Sequence, residues 1–128
     1  MPKYTVIAPV GDHLDALYVG VRDFPTENVI LLAPTERLQE AQKAKTTLAT
    51  FHITCQIVEI KGHPWEGIFA GIAQVAERHH GKPLLVNTAT GDRSTACAAT
   101  SAAFVNGLQA ISVEGTQSMP LPVLKFSY

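Results

Sequence analysis

The chain concentrates hydrogen-bonding side chains in one short segment, residues 84–104, which reads LLVNTATGDRSTACAATSAAF. An apolar run leads through a polar stretch into a row of small residues, so a strand is expected to become a helix there. The polar stretch contains Asn87, Thr88, Thr90, Gly91, Asp92, Arg93 and Ser94. A turn that only reverses the chain needs one glycine and one capping residue. The additional donors therefore predict a binding site at the start of a helix.

The residue types in this stretch suit a phosphodiester or a carboxylate. Gly91 lets the backbone approach a ligand closely, and Arg93 offers a planar fork of donors that fits phosphate. Further hydroxyl donors are Thr88, Thr90 and Ser94. A purely structural interpretation remains open, in which Asp92 caps the helix, Asn87 closes the turn and Arg93 pairs with a surface acid.

Two more loops follow apolar runs and carry unusual residues. PVGDHLD contains Gly11, Asp12 and His13, and KGHPWEG contains the only tryptophan, Trp65. Ligands of open parallel sheets bind beyond the carboxyl ends of the strands, where helix N-termini present free N–H groups. Trp65 is interpreted either as a stacking platform for a purine or as a half-buried core aromatic. We expect Gly11 and Gly91 to lie at the same edge of the sheet.

Apolar runs alternate with segments of helical spacing along the whole chain. Strands are predicted at 4–10, 28–33, 51–60, 82–87 and 108–114, helices at 12–23, 35–48, 63–80 and 92–106, and an extended edge strand at 121–128. Asp12 and Thr35 are expected to cap the first two helices. This alternation predicts an α/β, Rossmann-like fold with a mainly parallel sheet, helices on both faces and a C-terminal edge strand. A length of 128 residues supports a single domain, 1–128.

Composition narrows the classes of partner. A net charge of -1 and a pI near 6.5 provide no overall basic field of the kind that draws a domain to duplex DNA or to an anionic membrane. Hydrophobic residues make up 46% and charged residues 16%, which favours an oligomer with an apolar interface. The sequence has no apolar run of the roughly 18 to 20 residues that a membrane span requires and no signal peptide at its start. A cytoplasmic protein is predicted.

No established metal, nucleotide or hydrolase motif is present. Cys55 and Cys97 lie in a predicted strand and a predicted helix and are expected to be buried and reduced. His79 and His80 diverge by about 100° on a helix, so they cannot bind one metal together. The patterns GxxxxGK[ST], GxGxxG, GxSxG and HExxH are missing from the sequence. Neither a metal nor a cofactor is predicted.

Three stretches together resemble a known family. They are APVG at the end of the first strand, the loop VNTATGDRS of the form N-x-[ST]-x-G-[DT]-[KR], and the closing LPVLKFSY. In these the chain resembles the CARF domains, the CRISPR-associated Rossmann fold, and most of all the sensor domain of archaeal CARF regulators that carry a winged helix-turn-helix. The resemblance implies a homodimer that binds a cyclic oligoadenylate, commonly cyclic tetra-adenylate, across its two-fold axis, in antiviral signalling or its transcriptional regulation.

The resemblance also implies which residues bind the ligand. Gly11, Asp12 and His13 correspond to a first ligand loop, and residues 87–94 to a second. Many relatives have Lys at the position of Arg93, and Gly or Thr at that of Asp92. DNA contact is expected only through a winged-helix domain, which these 128 residues do not include.

Two alternatives to a sensor remain. Some CARF proteins cleave their own ligand without metal, and His13, Arg93 and Ser94 have suitable side chains for that reaction. The other alternative is a dimerisation module whose ligand site is vestigial.

Overall fold

Residues 3–122, which the computed structural model describes, contain six β-strands and four α-helices. The strands are β1 (Tyr4–Pro9), β2 (Thr26–Pro34), β3 (Thr54–Ile60), β4 (Leu84–Asn87), β5 (Gln109–Glu114) and β6 (Gln117–Pro120). The helices are α1 (Asp15–Asp23), α2 (Leu38–Ala49), α3 (Pro64–Arg78) and α4 (Arg93–Val105), and a 3-10 helix, Thr35–Arg37, precedes α2. No helix within this part of the chain has both the length and the apolar character needed to cross a bilayer.

All six strands belong to one sheet, in the order β3-β2-β1-β4-β5-β6. Strands β1 to β5 are parallel, and β6 pairs antiparallel with β5 at one edge. The predicted α/β, Rossmann-like fold with a mainly parallel sheet is therefore confirmed. Because β2 and β3 lie on one side of β1 and β4 to β6 on the other, the strand order reverses between β1 and β4. Ligands of doubly wound sheets bind at this kind of switch point.

The C-terminal edge strand is present but begins earlier than the sequence suggests. Only Gly115 and Thr116 separate β5 from β6. Gly115 has a φ of 60°, which tight two-residue hairpin turns require. The predicted edge segment, residues 121–128, lies beyond this strand, and 123–128 are outside the described residues.

Both faces of the sheet are buried, as the continuous apolar runs predict. Along β1, Val6 and Ala8 belong to a core cluster that includes residues of α1 and α2. Ile7, between them, belongs to a second cluster on the opposite face with residues of α3 and α4. The helices therefore cover the sheet in two pairs, one pair on each face.

Small residues form the face of α4 that packs into the core, and Cys97 does not belong to that face. The buried face of the helix consists of Ala98, Ala99, Ala102 and Ala103. Cys97 was expected to be buried with them but is exposed, because its position turns it away from this face. Cys55 is buried as expected, and its burial raises the pKa of the thiol to about 11.

Two predicted helix caps are also wrong. Helix α1 begins after Leu14 without a side-chain cap, and Asp12 instead accepts a hydrogen bond from Arg37. Thr35 lies in the 3-10 helix and donates its hydroxyl to Glu59 Oε2 at 2.6 Å. In both cases a residue distant in sequence competes for the polar side chain, which local capping rules do not consider.

The loops that follow β1 and β4 are in direct contact. A Cβ atom added to Gly11 would lie 2.5 Å from the Cα of Gly91, so only glycine fits at this crossing. The backbone N–H of His13 donates to the carbonyl of Thr90 at 3.1 Å. The expectation that Gly11 and Gly91 share one edge of the sheet is confirmed.

This crossing predicts the effect of Gly11→Ala on stability. The added methyl group meets backbone atoms, which cannot rotate away as a flexible side chain can, so we expect a loss of about 1–3 kcal/mol. The measurement is the free energy of unfolding from urea titration.

Gly71→Ala is the matched control, because its Cβ would lie 3.4 Å from the Leu32 methyl groups, an ordinary contact, and alanine favours the helix. We expect this variant to equal or exceed the wild type in stability. A Gly11→Ala protein with the wild-type unfolding midpoint would contradict the crossing.

Candidate functional site

The polar side chains at the end of β4 point inward and are bonded within the protein. Asn87, Thr88 and Thr90 are buried. Asn87 donates from Nδ2 to the carbonyl of Ala16 in α1 at 3.2 Å and accepts from the backbone N–H of Ala89 at 3.0 Å. The first bond ties the end of β4 to the start of α1, and the second closes the turn that follows β4.

The two threonines anchor the same loop to the neighbouring strands. Thr88 donates its hydroxyl to the carbonyl of Ile111 in β5 at 2.9 Å. Thr90 donates its hydroxyl to the carbonyl of Pro9 at the end of β1, at 2.5 Å. The loop between β4 and α4 is thus fixed on both sides, and these hydroxyls position the site through bonds inside the chain.

The side chains at the start of α4 are exposed, in contrast to the buried ones at the end of β4. They belong to Asp92, Arg93 and Ser94. Asp92 caps the helix by accepting from the backbone N–H of Thr95 at 2.8 Å. That hydrogen bond is the main cause of a lowered pKa at the Asp92 carboxyl. Within residues 3–122, the side chains of Arg93 and Ser94 take part in no protein hydrogen bond. Their donors therefore face the solvent beside the N–H groups of the first helical turn.

A cavity of about 170 Å³ lies beside the glycine crossing. Its walls come from the loop after β1, the segment after β2 and the first residues of α3 and α4: Val10, Gly11, Asp12, Pro34, Glu36, Arg37, Pro64, Asp92 and Thr95. Within the described part of the chain, Arg37 is the one positively charged side chain in the lining of this cavity, and the sequence analysis assigned it no role. Its position just after a parallel strand could have indicated a ligand contact, but residues 35–37 were interpreted as the start of a helix.

His13 faces a different depression from its neighbour Asp12. This depression, about 320 Å³, lies between the start of α1 and the β5–β6 turn, and its lining includes Ala89. The side chains of His13, Arg93 and Ser94 form no hydrogen bond with one another in the described part of the chain. The three candidate residues for ligand cleavage are thus not preassembled by mutual bonds.

Trp65 lies in the first turn of α3, 40% exposed. Its ring stacks on Phe69, with centroids 5.7 Å apart and planes at 14°. His63 caps this helix, because its Nδ1 accepts from the backbone N–H of Trp65 at 3.2 Å. Trp65 is therefore held at the edge of the fold that carries the cavity, while one wall of that cavity is the adjacent Pro64.

Among residues 3–122, no group of three or more His, Cys, Asp or Glu side chains is arranged to hold a metal ion. The site consists instead of helix N-termini, two arginines and several carboxylates.

Solved structures share this fold. The protein VC1899 from Vibrio cholerae superimposes with a TM-score of 0.76 at 16% identity, over 87% of this chain and 30% of its own. Can2 from Sulfobacillus thermosulfidooxidans, solved in complex with cyclic tetra-adenylate, gives 0.74 at 18% identity, over 86% of this chain and 32% of its own. A DNA nuclease of type III CRISPR defence that is activated by cyclic oligoadenylate gives 0.72 at 19% identity, over 94% and 20%.

This chain spans about a third or less of the length of those three proteins. At these identities the similarity shows a shared fold. No curated protein matches the sequence significantly. A family model, by contrast, matches residues 5–117, from the second residue of β1 to the first residue of β6. The chain therefore belongs to the family described as HFX_2341_N:-like, N-terminal.

Proposed function

We propose that this chain is the sensor domain of a dimeric protein that binds a cyclic oligoadenylate, with cyclic tetra-adenylate as the expected ligand. The observation that carries the proposal is the contact of the two glycine loops at the switch point, next to the exposed start of α4. This arrangement offers free N–H groups, the positive end of a helix dipole and the Arg93 guanidinium at one edge of the sheet. All three features favour a phosphodiester.

Two of the structural neighbours support the choice of ligand. Can2 was solved with cyclic tetra-adenylate, and the type III CRISPR nuclease is activated by cyclic oligoadenylate. Both share the fold over more than four-fifths of this chain. The resemblance of the VNTATGDRS loop to CARF domains agrees with this ligand class.

We further propose that residues 1–128 constitute one ligand-sensing domain of a cytoplasmic CARF regulator. The proposed ligand-binding residues are Gly11, Asp12, His13 and Trp65 together with Asn87, Thr88, Thr90, Gly91, Asp92, Arg93 and Ser94. The inward bonds of Asn87, Thr88 and Thr90 assign those three a positioning role, in which the backbone of their loop faces the ring. These residues themselves are assigned no contact with DNA, which in such regulators belongs to a winged-helix domain.

Arg93→Ala is expected to weaken the binding of cyclic tetra-adenylate. The substitution removes a charged donor fork from a phosphate contact, which corresponds to a loss of about ten- to a hundredfold in affinity. Isothermal titration calorimetry measures the effect directly.

Arg78→Ala provides the control for Arg93→Ala. Arg78 is exposed in the last turn of α3, about 20 Å along the helix axis from its first residue, so the same charge is removed far from the cavity. We expect wild-type affinity for this variant. Equal binding by wild type and Arg93→Ala would show that Arg93 does not contact the ligand.

The protein is expected to be a homodimer at micromolar concentration. Phe51, Val105 and Met119 are exposed apolar side chains, and the low charged fraction leaves room for an apolar interface. Multi-angle light scattering measures the mass in solution. A monomer would argue against a ring shared between two copies, whereas a dimer without affinity for any cyclic oligoadenylate would support the vestigial module.

Cyclic tetra-adenylate incubated with the protein in EDTA is expected to remain intact or to be cut slowly. His13 is the candidate general base that the sequence suggests, but it faces a different depression from the cavity, and no hydrogen bond aligns its side chain with Arg93 in the described structure. Chromatography separates the ring from linear products with 2′,3′-cyclic phosphate ends, since attack by the 2′-hydroxyl needs no metal.

Fast cleavage would make the protein a ring nuclease, and two variants then separate its mechanisms. Loss of cleavage in His13→Ala would indicate proton transfer by His13. Cleavage that survives His13→Ala but not Arg93→Ala would indicate positioning and charge stabilisation.

A further inference from the structure

We propose that Arg37 is an additional ligand-contacting residue of this site, and that a phosphate group of the ligand displaces Asp12 from it. The inference rests on the proposed function, since it assigns a residue to the same ligand. Nothing in the motif that resembles CARF domains includes Arg37, because it lies after β2 and outside both predicted ligand loops.

The position of Arg37 brings a guanidinium to the glycine crossing. The residue ends the 3-10 helix after β2 and lines the cavity together with Gly11 and Asp92. Its Nη2 donates to Asp12 Oδ1 at 2.5 Å, and its Nη1 donates to Glu40 Oε2 at 3.1 Å. The side chain is 30% exposed, so it is accessible from the cavity yet held in one place.

The two carboxylate partners of Arg37 have different roles. Glu40 is in the first turn of α2, three residues along the chain, and it does not line the cavity. Asp12 lines the cavity, and its side chain is 59% exposed. A ligand phosphate can therefore replace Asp12 while Glu40 continues to hold the guanidinium.

The energies favour this exchange. An exposed ion pair such as that of Arg37 with Asp12 contributes little, since water screens both charges. A phosphodiester forms shorter, bidentate bonds with a guanidinium in a site that the ligand shields from water. Asp12 can turn toward the solvent once it is released.

In this inference Asp12 stays in the wall of the cavity, but its carboxylate opposes the ligand instead of binding it as the sequence resemblance implies. The charges around the cavity explain why. Three carboxylates, Asp12, Glu36 and Asp92, face one guanidinium. Asp92 is already compensated by the backbone N–H of Thr95 and lies at the positive end of the α4 dipole. Glu36 is in the 3-10 helix and accepts no hydrogen bond from Arg37 in the described structure. Removing the charge of Asp12 both frees Arg37 and lowers the repulsion that a phosphate meets.

The test compares two substitutions at the site with two matched controls. Calorimetry measures the affinity for cyclic tetra-adenylate in Arg37→Gln and Asp12→Asn. The controls are Arg78→Gln and Glu77→Gln, which remove one positive and one negative charge from exposed side chains in the last turn of α3, far from the cavity.

We expect Arg37→Gln to lose about ten- to a hundredfold in affinity, because a charged hydrogen bond to phosphate is missing. Asp12→Asn is expected to gain about two- to fivefold, the equivalent of an exposed ion pair that no longer has to be broken. Both controls should bind as the wild type does. A loss of affinity in Asp12→Asn would overturn the exchange, since it would make Asp12 a group that accepts hydrogen bonds from the ligand.

A second measurement separates this inference from the proposed function. The Nε–H resonance of Arg37 in the ¹⁵N-labelled protein is followed while inorganic phosphate is added. We expect the resonance to shift, and to shift at lower phosphate concentration in Asp12→Asn than in the wild type. A shift in a protein that binds no cyclic oligoadenylate would reject the proposed function and retain Arg37 as a phosphate contact. An unchanged resonance in both proteins would reject the contact itself.

Discussion

The close approach of backbone to backbone at Gly11 and Gly91 determines how the rest of the site is arranged. A Cβ at Gly11 would lie 2.5 Å from the Cα of Gly91, so no side chain separates the loops that follow β1 and β4. The hydroxyl of Thr90 bonds to the carbonyl of Pro9 across the same crossing. The first turn of α4 is consequently held directly over the switch point of the sheet, where its free N–H groups can meet a ligand.

The polar loop after β4 has features of both a structural loop and a ligand-binding loop, the two interpretations that its sequence allows. Asn87 and Thr90 are buried and bonded to backbone carbonyls, so they stabilise the crossing in the way that a structural loop requires. Asp92 caps α4, as the structural interpretation expects. Arg93 and Ser94 are exposed beside that cap, as the ligand-binding interpretation requires. The number of hydrogen-bonding groups is high because the loop must both hold its own geometry and present donors outward.

Charges of both signs lie at the edge of the sheet that carries the site, which distinguishes the site from a simple basic patch. The net charge of the chain is -1, and the cavity itself contains more carboxylates than guanidinium groups. Any attraction for an anion must come from local donors, because no long-range field supplies it. Neutralisation of Asp92 by the α4 N-terminus and of Asp12 by Arg37 shows how the fold tolerates acids there. An anionic ligand has to compete with these internal pairs.

The sequence by itself determined the fold class, because apolar runs buried on both faces and alternating with amphipathic helices can be satisfied by few other arrangements. It also placed Gly11 and Gly91 at one edge, since parallel strands present their carboxyl ends together. The tertiary structure alone decided the pairings of Asp12 with Arg37 and of Thr35 with Glu59. It also decided the exposure of Cys97. The two pairings depend on contacts between residues 24 or more positions apart, which local spacing does not encode. The exposure of Cys97 depends on which face of α4 meets the sheet, and small residues on most sides of that helix leave its spacing uninformative.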